Sequence, residues 1–290
     1  MSQVFLVDTF TPVPFQGNPA AVFLNTNEVD DERKRKFAGE FNVPTAFPRP
    51  VDSDDFLTAK RFKLDVFSRT TQLPISEEFH AFATAHVLTS LKNPNEEFEF
   101  ETPFGEVKAR VGMHDSRPLV FPLVELVSLD SHKQELTDKL QTAPDPNGVG
   151  QKIAALLPSE LVVAQLVYCP RLKTLLIALD QATTHEQFMA LSLSREAAVG
   201  RRSRRGEQPD YVLRSFEPWN QIDEDPGSGS AQITAAPFWA AVYNRSNSLK
   251  GLRFHPKRAA EFRIEVGENT VEISGQSIQV FNGFIAEKCL

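Results

Sequence analysis

The stretch Thr9-Phe10-Thr11-Pro12-Val13-Pro14-Phe15-Gln16-Gly17-Asn18-Pro19-Ala20-Ala21-Val22 frames the reading of this chain. Three prolines and a glycine between Thr9 and Pro19 exclude regular structure there and require a loop. The apolar run Val4–Val7 before it reads as a strand, and Ala20–Leu24 after it as a second. Moving outward, Asp30–Phe41 has helical composition and opens on acidic residues, which suit the positive end of a helix dipole. Ala59–Phe67 alternates charged and apolar residues, the period of a half-buried strand. His80–Ser90, HAFATAHVLTS, keeps small and apolar residues on every face and reads as a close-packed buried helix. Phe98–Thr102 and Gly105–Val111 flank Pro103–Phe104 as a hairpin. Val120–Val124 reads as a short strand that Pro122 confines to a sheet edge.

The second half repeats this order. Polar residues fill Asp130 to Lys152, and a domain linker or exposed loop is expected near the start of that region. Ile153–Leu157, Leu161–Tyr168, Thr174–Leu179 and His185–Leu191 follow as helix-like and strand-like runs. The arginine-rich Arg201–Gln208 reads as a solvated loop. Tyr211–Phe216 is a strand, Asp223–Ser230 a polar turn, and Ala231–Tyr243 a second small-residue helix. Phe262–Val266, Val271–Ser274 and Ile278–Phe281 are strands. Each half thus holds strands, a polar turn, one buried alanine-rich helix and a hairpin. The fold class expected is α+β, with two pseudo-symmetric domains over 1–128 and 129–290. Each is a curved mixed sheet or barrel around a central helix, and the last strand has the option of pairing back with the first domain.

Bulk properties narrow the function. With 290 residues, 41% of them hydrophobic, the chain can bury a large core. A net charge of -7 argues against nucleic-acid binding, which calls for a basic face. Two cysteines, Cys169 and Cys289, make neither a disulfide framework nor a zinc site. The amino terminus lacks the pattern of a signal peptide, and no window approaches the roughly 20 apolar residues that span a bilayer. The expected location is cytoplasmic, with no membrane partner. The 23 phenylalanines read as core.

Several motifs, in order along the chain, carry a resemblance. Thr9-Phe10-Thr11 with Pro14–Val22 is similar to the opening signature of PhzF-like proteins, which have the diaminopimelate-epimerase fold. His80-Ala81 with Ala83–Leu88 resembles an altered form of that family's Cys-Gly-His-Ala-Thr turn and helix. Phe100-Glu101-Thr102 with Gly105-Glu106 matches its hairpin. Arg214, Phe216 and Pro218, followed by Glu224–Ala231, resemble the second-domain signature. The resemblance implies two domains facing a cleft, a small-molecule substrate, proton transfer without metal or organic cofactor, and a homodimer. It also implies catalytic roles for His80 and Asp225. Substrate contacts are implied from Asn18, Phe79, Arg214, Ser228, Gly229, Ser230 and Gln232. In physical terms, each buried helix begins at a polar turn, where free N–H groups and the dipole stabilise an oxyanion.

The sequence also departs from that family's pattern. Pro44, in Val43-Pro44-Thr45-Ala46-Phe47, stands where members carry an acid/base glutamate, and it has no ionisable group. Phe79 replaces a glycine, Phe82 a threonine and Gln232 a histidine. Arg258-Ala259-Ala260-Glu261 stands for Arg-Gly-Gly-Glu. Read without that context, His80 is a polar helix cap, Asp225 a turn residue and His86 a core histidine. Glu77 and Glu78 are candidate substitute carboxylates. The expected function is a cofactor-independent isomerase or cyclase of a carboxylated or carbonyl metabolite in specialised metabolism. The alternative is a non-catalytic binding or interaction protein, in which Phe79 and Phe82 fill the site. Neither a dinucleotide fingerprint nor a nucleophile elbow is present around Gly227 and Gly229.

Overall fold

A computed structural model describes residues 2–24, 29–73, 77–102, 105–110, 119–130, 136–194, 197–203, 209–217, 222–245, 248–254 and 257–286. The turn at 103–104, most of the arginine-rich segment (204–208), Pro218 and Cys289 lie outside them. The chain forms two compact units, Met1–Val120 with Ser274–Leu290, and Phe121–Ile273. Residues 121–128, grouped with the first half on sequence, belong to the second unit, and the C-terminal strand belongs to the first.

In the first unit, β1 (Gln3–Thr9), β2 (Asn18–Leu24), β3 (Thr45–Pro50), β4 (Arg61–Phe67), β5 (Glu97–Thr102) and β6 (Gly105–Arg110) pair in sequence order. The pairings alternate: β1–β2 antiparallel, β2–β3 parallel, β3–β4 antiparallel, β4–β5 parallel, β5–β6 antiparallel. A parallel pair needs a crossover, usually a helix. Here α1 (Asp31–Phe41) makes the first and α2 (Glu77–Ser90) the second. Strand β7 (Leu119–Pro122) joins β6.

The second unit repeats the scheme after β8 (Val127–Leu129), β9 (Gln141–Ala143) and α3 (Val149–Ala154). Strand β9 and most of α3 fall within the polar region Asp130 to Lys152, while residues 131–135 near its start, where a linker or loop is expected, lie outside the described residues. Strands β10 (Val163–Cys169) and β11 (Thr174–Leu179) are antiparallel, and α4 (His185–Met189) crosses to the parallel β12 (Ala197–Arg202). Strand β13 (Tyr211–Glu217) returns antiparallel, followed by β14 (Ile222–Asp225) and α5 (Gly229–Tyr243). Strand β15 (Leu249–Phe254) is parallel to β13, and β16 (Ala259–Val266) is antiparallel to β15. Strands β17 (Thr270–Ser274) and β18 (Ser277–Phe284) end the fold, and β18 pairs antiparallel with β1. The two units therefore share one alternation of pairings and one placement of helices. The expected α+β class with a buried helix in each half is what the chain adopts.

Local chemistry explains the helices. Asp30 caps α1 by accepting from Arg33 N at 2.8 Å, and Asn42 closes it in the left-handed region. Helix α2 packs on β1 to β6 and β18, and Ala81, Phe82, Ala83, Thr84 and Ala85 are all buried. Its hydroxyls are satisfied on the helix's own carbonyls, Thr84 on His80 at 2.7 Å and Thr89 on Ala85 at 2.8 Å. On the other sheet face Val4, Ala21, Phe23, Phe47 and Phe67 pack against Phe37 of α1. In the second unit α5 packs on β11, β12, β15 and β16, while Ile177, Val199, Val212 and Phe216 pack with Phe188 of α4.

Two sequence readings change, and one strand appears where sequence reading places no element. Asp223–Ser230 is not wholly a turn, because its first residues pair with β13 as β14. Arg201 is not solvated. It is the penultimate residue of β12, is buried, and lies 5.7 Å from the Phe188 ring, which accepts a cation on its face. Thr45–Pro50 is a strand despite Pro48 and Pro50.

Candidate functional site

The opening loop is tightly determined. Gly17 has φ +65°, and a Cβ there would sit 2.1 Å from Thr9 O, so only glycine fits. Phe10 and Phe15 also adopt positive φ, unusual for bulky residues. The buried Asp8 accepts from Phe15 N at 2.6 Å, and Thr9 Oγ1 donates to Asn18 O at 2.9 Å. Asn18 is thus anchored at the start of β2, buried opposite Thr9. Nearby in the fold, Pro44 accepts from Ala21 N at 3.1 Å through its carbonyl, a bond that any residue at this position could make.

At the start of α2, His80 is wholly buried, and its ring centroid lies 3.9 Å from that of Phe79. Phe79 is buried as well, and Phe82 packs on Phe10 at 4.9 Å. The side chains of Glu77 and Glu78 lie outside the described set. His86 shares a 2.8 Å hydrogen bond between Nδ1 and Ser277 Oγ, which ties α2 to β18.

The start of α5 is built differently. Asp225 ends β14, and its Oδ1 accepts from Gly227 N at 2.8 Å, closing a tight turn. Ser228 then caps α5 by accepting from Ala231 N at 3.2 Å. Asp225, Gly227, Ser228 and Gly229 are all buried. The side chain of Ser230 lies outside the described set. A carboxylate is therefore held beside the N-terminus of a 15-residue helix, where backbone N–H groups and the dipole favour negative charge.

Gln232 lies one turn in, on the fourth residue of α5, as His80 is the fourth of α2. It is wholly buried, and Tyr211 donates its hydroxyl to Gln232 Oε1 at 2.5 Å. Burial pushes the Tyr211 phenol well above its ordinary range, and the charge of Asp210 adds to this. Gly251 makes room for the pair: a Cβ there would lie 2.8 Å from the Tyr211 hydroxyl.

Arg214 is the sequence candidate whose surroundings leave least for a ligand. It donates from Nε and Nη2 to Glu224 at 2.8 and 2.6 Å, and from Nη1 to the Phe188 and Met189 carbonyls at 2.9 Å each. These bonds engage four of the five N–H donors of a guanidinium. The structure thus brings Asp225, Ser228, Gly229 and Gln232 to one helix start, and Phe79 with His80 to another. Sequence reading missed Tyr211 and Glu224, whose roles rest on partners distant in the chain. Among the described residues there is no group of three or more His, Cys, Asp or Glu side chains placed to hold a metal ion. No helix among them is long and apolar enough to cross a membrane.

Residues 7–283 match the family described as "Phenazine biosynthesis-like protein" (PhzC-PhzF). The chain belongs to that family. Among its relatives, "Phenazine biosynthesis-like domain-containing protein 2" of Mus musculus is 27% identical over 97% of both chains. "Uncharacterized isomerase PA2770" of Pseudomonas aeruginosa is 32% identical, covering 82% of this chain and 81% of that protein. A crystal structure of a PhzF-family phenazine biosynthesis protein from Enterococcus faecalis superposes with a TM-score of 0.73 at 22% identity, over 99% of this chain and 100% of that one. The PhzF-family architecture is shared with epimerases, so the fold is the diaminopimelate-epimerase-like one expected from the motifs.

Proposed function

We propose that this PhzF-family chain is a cofactor-independent isomerase, or a cyclase, of a small carboxylated or carbonyl-bearing metabolite. The observation that carries the reading is the start of α5, where Asp225 is fixed by Gly227 N–H beside the Ser228 cap. Oxyanion stabilisation needs preorganised donors aimed at the developing charge, and a helix N-terminus supplies them. A carboxylate beside it removes a proton next to the stabilised carbonyl and returns it to another carbon. His80 is the second proton carrier in this reading, and Gln232 a neutral donor to the substrate. The family membership and isomerase-named relatives support the reaction class. Pro44 requires that the proton not travel through the family's usual glutamate.

The test is a screen of small carboxylates and carbonyl compounds in heavy water. Wild type should convert one of them with deuterium entering the product, and Asp225→Asn and His80→Ala should each lose that turnover. Equal rates in both variants would remove the assigned roles.

One observation favours a second reading, a metabolite-binding protein without turnover: Phe79 and Phe82 are both buried and fill space at the start of α2. Saturable binding of a metabolite that is recovered unchanged would select it. Any turnover would exclude it.

A further inference from the structure

Among the described residues of the second unit, one cation is entirely removed from water: Arg253 on β15 is 0% exposed. Burying a guanidinium is costly unless an anion and hydrogen-bond acceptors replace its hydration. Its Nη2 donates to Ser215 O at 3.1 Å. Arg253 stands in register with Leu213 across the parallel β13–β15 pair, so it shares the face of Leu213 and Ser215. Ser215 stands opposite Asp225 across β13–β14, which puts Asp225 on that face too. This is the face toward α5, because Tyr211, on the same side of β13, bonds Gln232 and stacks on Trp239.

Several other charges on these strands are engaged or exposed elsewhere. Arg214 and Glu224 pair with each other on the opposite face, and Arg201 lies on that face over Phe188. Asp223 and Glu261 are exposed, and Asp210, at the far end of β13, holds Arg245 and Lys250 N. Helix α5 carries no Asp, Glu, Lys or Arg. Among the residues of the second unit whose side chains are described, Asp225 is the only buried Asp or Glu.

We infer that Arg253 is the positioning residue for Asp225, supplying the counter-charge that keeps this carboxylate ionised and directed at the start of α5. The inference rests on the reading of Asp225 as a proton carrier, and it fixes the direction: Asp225 begins the cycle as base, not as acid.

The test uses the full chain labelled with 13C at aspartate carboxyls, with Asp225→Asn assigning the resonance. Arg253→Met should raise the titration midpoint of Asp225 by about 1 to 3 pH units, and Arg253→Lys should keep it nearer wild type. An unchanged midpoint in Arg253→Met overturns the inference. Where Arg253→Met does not fold, the double variant Arg253→Met/Asp225→Asn decides. Removing the uncompensated carboxylate should restore folding or raise the denaturant midpoint, and no recovery overturns the inference equally. Turnover separates this claim from the functional one. A fully active Asp225→Asn with the titration shift present removes the catalytic reading and leaves the pair. An inactive Asp225→Asn without the shift removes the pair alone.

Discussion

Glu224 and Asp225 are consecutive residues whose side chains stand on opposite faces of β14. Glu224 reaches Arg214 at 2.6 Å on the face that packs against α4, while Asp225 turns to the start of α5. The same acidic dipeptide therefore performs two jobs. The pair Arg214–Glu224 is nearly sealed from water, so breaking it strands a buried guanidinium. Glu224→Gln is expected to lose about 3 to 5 kcal/mol of stability, measured by chemical denaturation, while its folded fraction keeps its turnover. A Glu224→Gln variant as stable as wild type would contradict the clamp.

Tyr211 sets a limit at high pH. Its phenol is held above the ordinary range in the folded chain, so above about pH 10 the unfolded state releases a proton that the folded state keeps. The stability this group contributes is complete below pH 10 and declines as pH rises above it. Ultraviolet titration of the folded protein should show a late-ionising tyrosine that Tyr211→Phe removes. The same variant strands Gln232 Oε1 and should cost about 1 to 3 kcal/mol.

Gly17 should tolerate no side chain. Its left-handed backbone and the 2.1 Å approach of Thr9 O mean that Gly17→Ala must move the loop. A loss of about 1 to 3 kcal/mol is expected, read as a lower thermal midpoint.

Phe82, where the motif resemblance implies a threonine, is buried against Phe10. Phe82→Ala should leave a cavity and cost about 3 to 5 kcal/mol. A neutral result in denaturation would mean that the ring fills no space the fold needs.

Much of the fold was legible because local composition and tertiary role agree. Ala20–Leu24, read as a strand, is apolar throughout and lies buried along its length in β2. The alanine-rich runs after His80 and Ala231 are helices with no polar face, as buried helices must be. Where the two disagree, reading failed. Pro48 and Pro50 weaken the local strand signal so that no element is read there, yet Thr45–Pro50 pairs along its length with β4. Acidic Ile222–Asp225 has the composition of a turn and becomes a strand only because β13 brings Arg214 and Ser215 beside it. The candidate site divides the same way. Asp225, Ser228 and Gly229 were legible because a turn and a cap are local devices. Arg253 and Tyr211 were not, because only strand register places them near α5.

The central claim is that Asp225 at the start of α5 transfers a proton without a cofactor. The most direct measurement is deuterium uptake from heavy water into a converted carboxylate or carbonyl substrate, compared across wild type, Asp225→Asn and Glu224→Gln. The account predicts uptake in wild type and in folded Glu224→Gln, and its loss in folded Asp225→Asn. Uptake in Asp225→Asn equal to wild type would contradict it.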